Sequence, residues 1–156
     1  MRRILPLLLA TALLAACGGE APKAVQPMAA QEPAVTQVGE YSIRASAVPT
    51  ASLSETVLRG YGITGGDDVV LVLVGVRKGP EGQDVSVPAS ITGAAIDLQG
   101  RRQPLQLREL RSGDLLDYVA TVKVDAPDTL RFELQVTAEG AAPATVDLRV
   151  TPVNVG

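Results

Sequence analysis

Leu130-Arg131-Phe132-Glu133-Leu134-Gln135-Val136-Thr137 alternates apolar and polar residues without a break. Successive side chains of an extended chain point to opposite faces. A period of two therefore buries Leu130, Phe132, Leu134 and Val136 and turns Arg131, Glu133, Gln135 and Thr137 toward water. A strand of this kind is half of something: its apolar face needs a second layer to cover it.

The flanking segments repeat the pattern. Leu116, Tyr118, Ala120, Val122 and Val124 share one face, and Val146, Leu148 and Val150 share another. Pairing Thr137 with Thr145 across the Gly140/Pro143 loop sets Glu133 opposite Arg149, a register favoured by about a few tenths of a kcal/mol. A tight hairpin between 118–124 and 130–136 would instead face Lys123 with Arg131. That repulsion predicts a connection at 125–128 that crosses between sheets.

Upstream, residues 69–76 read Val-Val-Leu-Val-Leu-Val-Gly-Val. Both parities are apolar, so this strand is expected to be covered on both faces. Lys78-Gly79-Pro80-Glu81-Gly82 is a turn. An apolar segment follows at 85–98, where Pro88 and Gly93 suggest an edge or a bulge. Gly100 breaks it, residues 105–110 form a short strand, and Ser112-Gly113-Asp114 turns again. Residues 41–48 alternate and end at Pro49. Ser52-Leu53-Ser54-Glu55 then reads as a capping box, with Ser52 as N-cap and Glu55 three positions on. The short helix runs to Arg59 and stops at Gly60, covering one end of the sheet. Seven short strands separated by turns predict an all-β fold. The expectation is an antiparallel β-sandwich of immunoglobulin or fibronectin-III type, with one short helix after the first strand. Asp114-x-x-x-Tyr118 has the spacing of a tyrosine corner but precedes the fifth strand, so Tyr118 reads as a packing residue.

The N-terminus carries a different signal. Arg2 and Arg3 precede a run at 4–16 that is apolar apart from Thr11. As a helix it rises about 20 Å, short of the ~30 Å hydrocarbon core of a bilayer. It reads as an export signal. Leu14-Ala15-Ala16-Cys17 has the form of a lipobox: small residues before a thiol that accepts diacylglycerol. Cleavage before Cys17 would leave an acylated first residue, held firmly only if two or more chains insert. The bland reading, cleavage after Ala10-Thr11-Ala12, leaves the sole cysteine an unpaired thiol. No Asp follows Cys17, so the expected place is the periplasmic side of the outer membrane, with the inner membrane or soluble periplasm as alternatives. Residues 17–40 read as a tether, with Pro22, Pro27 and Pro33 among Ala, Gln and Glu. It spans about 25 Å as a coil and about 65 Å stretched. Domain organisation is then 1–16 signal, 17–40 acylated cysteine and tether, 41–156 sandwich.

Composition removes several function classes. The chain has 156 residues, a net charge of −3, no histidine and one cysteine. Without a basic patch, nucleic acid is excluded as the expected partner. Without histidine, the usual general base, zinc ligand and Ser-His-Asp triad are missing. Lys23 lies in the tether, Lys78 at a turn and Lys123 on an outer face, and none is desolvated enough to act as a base. Asp67-Asp68 after Gly65-Gly66 invites calcium, as do Asp114/Asp117 and Asp125/Asp128. Adjacent carboxylates on extended chain point apart, so all read as solvated charges. Gly62-Ile63-Thr64-Gly65-Gly66 precedes a strand, not a helix, and so lacks the geometry of a phosphate loop. Arg101, Arg102, Arg108 and Arg111 form the only basic cluster, a candidate partner surface whose bland reading is a solvated hairpin tip.

Residues 41–152 resemble a family of small exported bacterial proteins known as domain of unknown function 4426. The resemblance rests on Tyr41-Ser42-Ile43, Tyr61-Gly62-Ile63, the strand at 69–76, Arg108-Glu109-Leu110 and Thr129-Leu130-Arg131-Phe132. The family pattern has a histidine and an aromatic after the first Tyr-x-Ile, where this chain has Arg44 and Ala45. The resemblance implies a periplasmic β-sandwich and brings no activity. The functional expectation is a non-enzymatic, lipid-anchored module that binds an envelope protein or ligand, without cofactor or metal. Its alternatives are a carrier of a small apolar ligand and a carboxylate hydrolase.

Overall fold

The computed structural model describes residues 32–125 and 129–151. Leu14, Ala15, Ala16, Cys17 and the expected tether up to residue 31 lie outside them. Among the described residues ten strands run in the order β1 (Ala34–Val38), β2 (Tyr41–Pro49), β3 (Val69–Lys78), β4 (Val85–Ser86), β5 (Ala89–Ile96), β6 (Arg102–Pro104), β7 (Arg108–Ser112), β8 (Leu115–Lys123), β9 (Leu130–Ala138) and β10 (Ala144–Val150). A 3₁₀ turn (Thr50–Ser52) and one helix, α1 (Glu55–Tyr61), join β2 to β3.

All pairings are antiparallel and make two sheets. The first has the order β1-β2-β3-β8-β7, with β4 also on β3, and the second β10-β9-β5-β6. Leaving out β1, this is the ABED and GFC arrangement of an immunoglobulin constant-type sandwich with an extra edge strand. The inner faces meet where alternation placed them. Val70, Val72, Val74 and Val76 of β3 face Phe132 and Leu134 of β9, all with 0 % exposure. Leu71 on the outward side of β3 is buried as well, which explains its two apolar parities.

Four local expectations are corrected. Ala34–Val38, inside the span 17–40 expected to be tether, is a strand paired with β2. Its Ala-Val-Thr-Gln-Val sequence has little apolar contrast. Register is set by the two-residue turn Gly39-Glu40, where Gly39 has φ +59° as a hairpin turn with Gly first requires. The helix therefore follows the second strand, not the first. It is capped by Ser54, whose hydroxyl accepts from Val57 N–H, not by Ser52. Ser52 instead donates to the Pro49 carbonyl. The helix ends at Tyr61 with left-handed Gly62 closing the last turn, so Gly60 is passed over.

The segment at 85–98 divides between sheets, and the strand expected at 105–110 is β7 at 108–112, with Leu105 N–H still bonded to Gly93 of β5. β4 pairs with β3, then Pro88 redirects the chain so that β5 pairs with β9. The Ala89 N–H donates to the Tyr118 hydroxyl at 2.8 Å. Gly93 lies inside β5, where an added Cβ would come within 2.7 Å of the Glu133 carbonyl. It marks close backbone approach, not an edge. After β6 the chain returns to the first sheet as β7. The crossing between β8 and β9 occurs as expected, and residues 126–128 of it lie outside the described residues.

The β9–β10 register is two residues from expectation. Gln135, not Thr137, faces Thr145, while Glu133 faces Asp147 and Arg131 faces Arg149. A slip of two leaves every side chain on its own face, so apolar alternation cannot choose between the two registers. The turn closed by Ala141 N–H on the Ala138 carbonyl chooses.

Candidate functional site

Three segments converge at one end of the sandwich: the β2–β3 connection with α1, the β5–β6 hairpin, and the β8–β9 crossing. Their surface holds three adjoining depressions. The widest, about 440 Å³, lies along α1 and is lined by Thr50, Leu53, Leu58, Arg59 and Ile63. It shares Thr64 and Gly65 with a second of about 350 Å³. That one shares Gln103 and Lys123 with a third of about 180 Å³ beside Arg101 and Asp125. Together they form a groove that is apolar at the helix and charged at the hairpin.

The groove floor is held from below. Thr50 is the buried polar residue of the described chain, 1 % exposed. Its hydroxyl accepts from Gly66 N–H at 2.9 Å and shares its proton between the Gly66 and Val69 carbonyls at 2.9 and 3.0 Å. A lone hydroxyl thus fixes the Gly-rich loop that the sequence offered as a phosphate-loop look-alike. Gly65 lets that loop pass under α1, since a Cβ there would sit 2.7 Å from Leu58 Cδ1. Sequence reading missed Thr50. The available signal was a hydroxyl directly after a strand-ending proline, which many surface turns share.

The charged end is internally paired. Arg101 bridges Asp97, through Nε and its backbone N–H, and reaches Asp125 at 3.3 Å. Arg102 binds Glu133 at 2.9 Å, and Arg131 binds the same carboxylate. Lys123 stands 3.9 Å from Asp68. Burial pushes the Asp97 carboxyl up, but the Arg101 backbone N–H and guanidinium outweigh it and hold it below its ordinary value. The same pair raises Arg101. Arg102 is the main cause of a lowered Glu133, with Arg131 adding to it against desolvation.

The four arginines expected to form one surface divide between the two sheets. Arg101 and Arg102 lie on the groove's charged end. Arg108 and Arg111 lie on β7, at the far edge of the first sheet. Arg108 donates to the carbonyls of Tyr61 and Gly62, pinning the C-terminus of α1, and Arg111 pairs with Glu109 at 3.0 Å. Leu14, Ala15, Ala16 and Cys17 are outside the described residues.

Such a surface offers both apolar and charged contacts. No group of three or more His, Cys, Asp or Glu side chains stands together among the described residues. The Lys78 ammonium has its pKa raised by hydrogen bonds to Glu40 and Tyr41, which holds it protonated and unfit as a base. Thr50 is spent on the loop, with no base beside it.

The profile described as "Domain of unknown function (DUF4426)" matches residues 35–151. A crystal structure of a DUF4426 family protein from Pseudomonas aeruginosa PAO1 superposes with a TM-score of 0.63 at 22% identity, covering 80% of this chain and 98% of that one. FetP of uropathogenic Escherichia coli strain F11, in a copper-bound variant, gives 0.54 at 12% identity, covering 78% and 98%. The same protein as isolated after periplasmic expression gives 0.54 at 12% identity, covering 78% and 97%. At these identities the likeness is one of fold. The search of curated proteins finds no match.

Proposed function

The chain belongs to the DUF4426 family, and on that premise we propose that it is a non-catalytic binding module of the bacterial envelope, anchored through a lipid on Cys17. The observation that carries the binding role is the amphipathic groove across one end of the sandwich. Its apolar stretch at Leu53, Leu58 and Ile63 and its paired charges at Arg101 and Asp125 suit an extended polypeptide of mixed polarity. The Gln103 and Lys123 stretch joins the two.

The copper of the FetP variant does not carry over. Copper favours imidazole and thioether ligands, and this chain has no histidine and only Met1 and Met28 as methionines. The anchor rests on Leu14-Ala15-Ala16-Cys17, and the periplasmic face of the outer membrane on the residue after Cys17 being glycine. The tether then stands between the lipid and β1, leaving the groove free to meet a partner.

Photo-crosslinking residues placed at Leu58 and Gln103 in the anchored protein test the binding role. A discrete captured species is expected from both positions and not from Val35, which is exposed on β1. Equal capture at all three, a small apolar molecule surviving on the protein in native mass spectrometry, or turnover of ester, peptide or glycan substrates lost in a serine or carboxylate variant would each overturn it. Blocking the lipoprotein signal peptidase tests the anchor: a larger membrane-bound precursor should accumulate, and a freely soluble product with a bare thiol would refute it.

A further inference from the structure

We propose that β7 is a self-pairing edge, through which two copies of this chain join by antiparallel strand addition about a two-fold axis at Leu110. A sheet edge presents unpaired N–H and C=O groups and invites another strand. The other three edges are closed to this. β1 and β10 lie against one another, with Pro33 ahead of β1. β6 has three residues and ends in Pro104. β7 is the last strand of its sheet, has no proline over Arg108–Ser112, and leaves Arg108, Glu109, Arg111 and Ser112 exposed with Leu110 half-buried.

The sequence of that edge complements itself. With Leu110 facing its own copy, Glu109 of one protomer falls opposite Arg111 of the other, and the reverse pair forms by symmetry. Arg108 falls opposite Ser112. Opposite charges directly across a strand pair are favourable, and like charges are not. A two-fold contact must match itself in this way. Within one chain, Glu109 and Arg111 already hold each other at 3.0 Å, so each carboxylate would lie between two guanidinium groups in the pair. Five residues of edge make a small interface, which places the expected affinity in the range of transient pairs. Arg108 reaches the end of α1 beside the groove, but Glu109, Leu110 and Arg111 line none of its depressions, and neither proposal depends on the other.

Native mass spectrometry of the full-length protein in mild detergent, up to about 100 µM, tests the inference. Wild type is expected to show a dimer that grows with concentration. Glu109→Lys and Arg111→Glu each put like charges across the axis and should weaken the dimer tenfold or more. The double variant E109R/R111E restores opposite charges both within and between chains and should dimerise as wild type does. Leu110→Cys should form an intermolecular disulfide under mild oxidation. A wild type that stays monomeric overturns the inference. So does a folded E109R/R111E that stays monomeric, or a single charge reversal that leaves the dimer unchanged.

Discussion

Gly75 and Asp117 face each other across β3 and β8, and the missing side chain of one makes room for the carboxylate of the other. On the outer face of the first sheet, Asp117 Oδ1 accepts from Arg77 Nη2 at 2.8 Å, and Arg77 Nη1 donates to the Leu116 carbonyl at 3.0 Å. Both side chains are mostly covered, at 17% and 24% exposure. An added Cβ at 75 would lie 2.8 Å from Asp117 Oδ1 and 3.2 Å from Arg77 Nη1. Gly75→Ala should therefore destabilise by about 1–3 kcal/mol, the usual cost of overpacking. Denaturant unfolding should show a lower midpoint at unchanged slope, and an unchanged midpoint would contradict the account.

Thr50→Val keeps shape and removes the hydroxyl that fixes the loop under α1. Gly66 N–H and the carbonyls it served lose a buried partner, which costs about 1–3 kcal/mol. Hydrogen exchange should quicken first at residues 62–68. Uniform quickening across the sandwich would mean that the hydroxyl serves the core and not the loop.

Asp147 faces Glu133 across β10 and β9, an unfavourable pairing of like charges. Asp147→Lys should stabilise by about 0.2–1 kcal/mol, read as a rise in Tm. In the register with Glu133 opposite Arg149, the same change would remove no repulsion.

The Asp97–Arg101 and Glu133–Arg102 pairs make stability depend on acid. Both carboxyls are held below their ordinary values in the folded chain. Their stabilisation is thus present above the unfolded carboxyl range, near pH 4 (about 3.9–4.3), and is lost as pH falls through the folded values. Tm should drop more steeply below about pH 4 in wild type than in Asp97→Asn/Glu133→Gln. Parallel profiles would show that the pairs do not stabilise the fold.

The sandwich was readable from residues because alternation reports which side of a strand is dry. Phe132, Leu134 and Val136 declare a face without reference to any neighbour, and the doubly apolar run at 69–76 declares a covered strand. The first strand was not readable, since Ala34 to Val38 carries little contrast and is held by backbone pairing. The groove was readable only in pieces. Its residues come from positions 50–69, 95–103 and 121–130, and no spacing rule links them.

The sequence by itself determined the faces of the strands, the two-layer class and the family, and it alone carries the motif on which the proposed anchor rests. These are properties of a local period or a contiguous motif. Only the tertiary structure decided the β9–β10 register, the division of 85–98 between sheets, and the placing of Arg102 and of Arg108 and Arg111 on edge strands of different sheets. Each of these depends on turn geometry or on which distant strand lies alongside, and a two-residue slip or a change of sheet leaves the local pattern of apolar and polar residues the same.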